Sequence, residues 1–255
     1  MCKAYYKFTI FMIFVEMTQL ISVGVAPASF LLRHSTDPLW LNHVFGAIVS
    51  ASWFTYSFLI HMIAVNRFVC MYFQPNVVKV VFSDRNVHLI IVSAYFYGLV
   101  WLLLFLTAGK VSFDLSSFVY LYEKDTFSQK IRSVEIVVDV GNGIAILCWY
   151  ILIFLKLKAK NNQITDRTIS ARNAKVEMKV FIQAALLCFM TCFLIFTWFV
   201  IPIITDNDWV DLGTNYVWLL VASLNAILYL TFNKNPPSRA PVYTNIEGGA
   251  APLIG

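Results

Sequence analysis

The chain is 255 residues long, 59% hydrophobic and only 13% charged, with a net charge of +5 and a mean hydropathy of +0.71. Soluble domains run at about a quarter charged, so a soluble globular fold is excluded: too few polar residues remain to cover its surface. Lipid removes that difficulty by facing apolar side chains directly, and the basic excess becomes a matter of placement across a bilayer rather than of nucleic-acid binding.

A spanning helix needs about 20 apolar residues. In chain order the stretches 8–31, 41–64, 88–108, 134–155, 178–204 and 216–232 qualify. The first follows Lys3 and Lys7 and runs into Ala26-Pro27-Ala28, which imitates a secretory signal, but it is long for one and carries Glu16 inside it. The fold class predicted is all-α, a polytopic membrane helix bundle of six spans over 1–234, followed by a short cytoplasmic tail over 235–255. The longest loops are 109–133 and 156–177.

Charge placement orients the bundle. Of the 19 lysines and arginines, only Arg33, Lys110, Lys124, Lys130 and Arg132 fall on the side away from the N-terminus. The positive-inside rule makes the N-terminal side cytoplasmic. Both termini are then inside, as an even number of spans requires. The five cysteines lie within spans or on that cytoplasmic side, so no disulfide framework is expected. Cys188 and Cys192 share a helical face without a His or carboxylate cluster, so no metal site is predicted. No P-loop, His-Glu-x-x-His, Gly-x-Ser-x-Gly or dinucleotide turn is present, and neither catalysis nor a cofactor is predicted.

Two motifs stand at the cytoplasmic ends of spans. The second span ends in Ala64-Val65-Asn66-Arg67-Phe68, and the last contains Leu224-Asn225-Ala226-Ile227-Leu228-Tyr229. Taken alone, Arg67 can simply snorkel to the interface. Asn225 needs partners inside the bundle, and Tyr229 can be an ordinary interfacial aromatic.

Together they resemble the rhodopsin-like receptors. Asn66-Arg67-Phe68 is similar to Asp-Arg-Tyr at the inner end of those receptors' third helix, and Asn225 with Tyr229 keeps the spacing of Asn-Pro-x-x-Tyr in the seventh. More narrowly, the chain resembles the nematode serpentine receptors of class x, through Asn66-Arg67-Phe68, Pro75, Phe82-Ser83, Glu177 with Phe181-Ile182-Gln183, and Tyr229 to Lys234. The resemblance implies helices 2–7 of a seven-helix G-protein-coupled receptor, with the first helix absent. It implies a chemoreceptor in the plasma membrane or a sensory cilium that signals to a heterotrimeric G protein. It also implies a switch at Asn66, Arg67, Phe68, Glu177, Asn225 and Tyr229, with Glu177 as the carboxylate partner of Arg67. Ala226 stands where the family has proline, and the usual cysteine pair between the third helix and the second outer loop is missing, which points to weakened folding.

Counting back from Arg67 by helical turns puts Ala64, Ile60, Ser57, Trp53 and Ser50 on one inward face, and from Asn225 puts Trp218 and Asn215 on another. Glu135, Asp139 and Asn142 share a face of the fourth span, where carboxyls turn inward or toward water. Ser50, Trp53, Asp139, Asn142, Asn215 and Trp218 are therefore the candidates for a small-molecule pocket, against a plainer reading as packing or lipid-facing residues. A six-span transporter or channel subunit would show broken half-helices and inverted repeats, which this sequence lacks. A truncated, non-signalling receptor is the other alternative.

Overall fold

The computed structural model describes the backbone of residues 3–162, 169–200, 204 and 207–232, and the side chains of 4–159, 181, 182, 185–200, 204, 207, 209–224 and 226–228. α1 (Lys3–Gln19) passes through one π turn (Leu20–Val25) into α2 (Ala26–Arg33). Pro27 accounts for the turn: it has no N–H to offer the carbonyl of Val23, and its ring would strike that carbonyl in a regular helix. α2 ends at His34, whose left-handed φ of 51° turns its N–H back onto the last carbonyls. Then come α3 (Leu39–Tyr72), the short α4 (Pro75–Val81) and α5 (Asp84–Thr107), whose first turn is capped by the Ser83 hydroxyl.

A β-hairpin follows, β1 (Val111–Asp114) antiparallel to β2 (Val119–Tyr122), with Phe113 opposite Tyr120. The sequence reading treated this stretch only as a long loop. Asp125 then caps α6 (Thr126–Asn162), accepting hydrogen bonds from the amides of Phe127 and Ser128. α7 (Ile169–Phe199) and α8 (Asp208–Phe232) complete the bundle.

Among the described residues, Ala4–Arg33, Leu39–Tyr72, Asp84–Thr107 and Thr126–Ala159 are long and apolar enough to cross a membrane, and α7 holds a shorter apolar run, Ala185–Phe199. The helices extend beyond the apolar stretches, since hydrogen bonding continues past the last residue that lipid would accept. α3 is the axis of the bundle. Its most apolar window is 72% buried, against 22% for α5 and 28% for α6, which turn Leu89, Phe96, Leu103, Val137 and Ile144 outward as a lipid-facing surface does. Gly98 lets α5 close on α3, because a β-carbon there would strike the Thr55 hydroxyl.

Within α1, Glu16 and Gln19 are 2% and 1% exposed and turn into the bundle, whereas Thr18 faces outward. Cys70 is disulfide-bonded, against the expectation drawn from compartment alone.

Candidate functional site

The hairpin closes one end of the bundle, and particular side chains hold it there. The side-chain amide of Asn42, in the first turn of α3, donates to the Phe113 carbonyl at 2.9 Å and accepts from the Phe113 N–H at 2.8 Å. Four residues on, Gly46 has no β-carbon, and one would collide with the Val111 carbonyl, so β1 lies directly on α3. The Tyr120 hydroxyl donates to the Ser22 carbonyl at 2.8 Å, at the π turn. From α8, Asn215 donates to the carbonyl of Phe118, which holds a left-handed φ of 61° at the hairpin turn.

Beneath the hairpin is a cavity walled by α3, α6, α7, α8 and both strands. Trp53 of α3 packs edge-on to Trp218 of α8 with ring centres 5.6 Å apart, and Trp198 of α7 packs edge-on to Trp218 at 5.2 Å. Trp53 also donates from Nε1 to Asp139 Oδ2 at 2.8 Å, and Tyr122 of the hairpin donates to Glu135. Burial, aided by the Glu135 carboxylate, pushes the Tyr122 phenol well above its ordinary value, so it remains a donor at neutral pH. The free space inside is about 20 Å³, room for one water.

Four of the pocket candidates, Ser50, Trp53, Asp139 and Trp218, line this cavity. Asn142 does not: its amide donates to the carbonyl and hydroxyl of Ser57, further along α3, because a step of seven residues from Glu135 carries it out of the cavity. Asn215 anchors the hairpin instead of lining the space beneath it. Sequence reasoning missed Tyr120, Tyr122 and Trp198 as wall residues. The two tyrosines had no helical register to be read against, while Trp198 was legible in principle from the apolar face it shares with Ile195 and Leu194.

The opposite end holds the candidate switch. Asn66 is fully buried, and neither polar atom of its amide has a hydrogen-bond partner among the described residues. Arg67 turns inward and lies over the Tyr5 ring of α1, 3.8 Å from its centre, with Nε and Nη2 shielded from solvent and without hydrogen-bond partners among the described residues. Phe68 stacks on Tyr72 at 4.5 Å and against Trp149 of α6 at 4.8 Å. The side chains of Glu177, Asn225 and Tyr229 lie outside the described residues. Along α3 the predicted inward face holds: Ala64, Ile60, Ser57, Trp53 and Ser50 are all buried, so one helix carries the cavity wall at one end and Asn66-Arg67-Phe68 at the other. α1 begins beside Arg67, while α8 starts at the hairpin end and runs the other way.

The bundle thus carries a small cavity at one end and an inward arginine at the other. Residues 3–240 match the family model described as the serpentine type 7TM GPCR chemoreceptor Srt. The chain belongs to the Srt family. No curated protein matches it. Membership makes this a multi-pass membrane protein of a chemoreceptor family, as expected, but it replaces class x by Srt. The short motifs that carried the resemblance reached the serpentine receptors as a group and were too unspecific to reach the class. In this Srt chain the paired hydrogen bonds of Asn42 tie α3 to the loop that follows α5.

Proposed function

We propose that this Srt protein is a receptor in which an external small molecule, taken up in the cavity under the hairpin, shifts the bundle toward a state that activates a heterotrimeric G protein. The observation that carries the reading is the continuity of α3: Trp53 in the cavity wall and Arg67 at the far end stand on one buried face of one helix. A ligand changes an equilibrium only through differential contact with its two states. In this reading the small cavity supplies that difference, with Trp53, Trp218 or the hairpin shifting as a ligand enters.

The far end is poised to respond. Burying an amide without partners costs about 1–3 kcal/mol, so Asn66 weakens the resting arrangement, while the Arg67–Tyr5 contact holds it by about 1 kcal/mol. Movement of α1 or α7 away from α3 would free Arg67 to meet the G protein, with Asn225 and Tyr229 repacking and Glu177 as a carboxylate for the resting arginine. The cavity end faces outside and both termini face the cytosol in this reading, with residues 235–255 as a cytoplasmic tail.

The test is a small-molecule screen read as nucleotide exchange on a co-expressed G protein, in membranes with matched surface levels. Molecules that activate the parent should lose their effect on Trp53→Ala. A receptor that responds equally with and without Trp53 takes its ligand elsewhere.

A further inference from the structure

The cavity has a chemical signature that goes beyond the receptor reading on which this inference rests. Two carboxyl side chains, Glu135 and Asp139, stand one helical turn apart on α6 and both line it. They are 6% and 1% exposed. Asp139 Oδ2 accepts from Trp53, but its Oδ1 is shielded from solvent and has no hydrogen-bond partner among the described residues. Glu135 accepts from Tyr122. The described residues that line the cavity include no lysine, arginine or histidine. Arg132 is exposed, about one turn further out on α6.

The remaining walls suit the same ligand. Trp53, Trp198 and Trp218 line the same cavity and meet edge to face, and an ammonium group is attracted to aromatic ring faces by about 0.5–2 kcal/mol, more as water is excluded. Leu194 and Ile195 of α7 supply an apolar wall beside them. An anion would meet two carboxyls at close range in a medium of low dielectric, and a neutral apolar molecule would leave Asp139 Oδ1 unpaired. A cation answers both features: its N–H groups reach Oδ1, and its charge sits against two acidic side chains.

We propose that the cavity takes a small organic cation, a short-chain alkylammonium whose charged head sits between Glu135 and Asp139 and whose tail lies against Leu194 and Ile195. The resting free space is only about 20 Å³, so a short chain asks the least movement of the surrounding walls.

The probe is butylamine at neutral pH, where it is protonated, with 1-butanol and butyrate as its neutral and anionic counterparts. Each is added to the purified full chain in lipid nanodiscs, and binding is read as a concentration-dependent rise in unfolding temperature and as a change in tryptophan fluorescence. Butylamine should produce both signals and the other two should not. Asp139→Asn should weaken butylamine binding at least tenfold. If that variant does not fold, Glu135→Gln, which leaves the Trp53–Asp139 bond in place, should weaken it several-fold. Equal binding of 1-butanol, binding unchanged in the carboxyl variants, or no binding of butylamine would each overturn the cation assignment. The receptor reading is judged separately, by nucleotide exchange that depends on Arg67, and none of these binding results moves that readout.

Discussion

Asn42 and Phe113, 71 residues apart, are joined by a pair of hydrogen bonds that uses both the N–H and the carbonyl of the Phe113 backbone. The pair is buried, with Asn42 only 2% exposed, and it fastens the hairpin to the start of α3. Replacing Asn42 by alanine leaves two backbone groups without partners. The expected cost is about 2 kcal/mol at this site, or opening about thirtyfold more frequent. Amide exchange across 111–122 should accelerate accordingly, while exchange in the middle of α3 stays slow. Unchanged protection of Phe113 would show that the hairpin is held by other contacts.

Two of the glycines that admit close approach set a second expectation. Gly46→Ala would drive a β-carbon into the Val111 carbonyl, and Gly98→Ala would drive one into Thr55. Each should lower stability by about 1–3 kcal/mol, the usual cost of overpacking. At Gly141 nothing lies within 4 Å of the added carbon, so Gly141→Ala should be neutral or slightly stabilising. Unfolding temperatures of the three variants in one detergent would separate them. A Gly141 variant as unstable as the Gly46 variant would count against the packing described.

The hairpin turn carries a pH dependence with a definite sign. Partial burial raises the Asp114 carboxyl, but hydrogen bonds from the hydroxyls of Ser116 and Ser117 and the Ser117 amide outweigh it, and the group sits below its ordinary 3.8. A carboxyl lowered on folding stabilises the fold above its unfolded value and loses that contribution as pH falls through the folded one. Exchange of the amides at 115–118, corrected for intrinsic rate, should therefore be flat from neutrality down to about pH 5 and rise only below the ordinary carboxylate range. Asp114→Asn should show the faster exchange at neutral pH. Loosening of the turn between pH 7 and 5 would mean that another group controls it.

Tyr5 and Arg67 make a prediction about the switch. Tyr5→Ala removes the ring beneath the guanidinium, worth about 1 kcal/mol. That is about a fivefold change in the balance of two states, so basal nucleotide exchange should rise a few-fold. Tyr5→Phe keeps the ring and should leave it near the parent level. Equal effects of both variants would place the contribution in the hydroxyl instead.

Much of this arrangement was legible in the sequence because it follows from helical period. The spacing from Arg67 back to Ser50 put Trp53 on the buried face of α3, and the spacing within the last span put Trp218 opposite it. The hairpin was not legible. Val111–Asp114 and Val119–Tyr122 are too short to show alternation, and they are strands because Asn42, Gly46, Ser22 and Asn215 hold them across the bundle, contacts that no local pattern encodes. Glu135 and Asp139 stood on one face in the sequence, but only the hairpin above them, through Tyr122, and Trp53 beside them turn that face into a cavity wall. The Arg67–Tyr5 contact was not legible, because no local pattern pairs a residue at the start of α1 with one near the end of α3.

The central claim is that the Asn66-Arg67-Phe68 end of α3 passes the state of the cavity to a G protein. Nucleotide exchange on a co-expressed heterotrimer, compared between the parent and Arg67→Ala at matched surface levels, tests it most directly. The account predicts that Arg67→Ala falls to the level of membranes without the receptor, while still binding whatever cavity ligand the parent binds. Exchange undiminished in Arg67→Ala would contradict it and reduce Arg67 to an interfacial anchor.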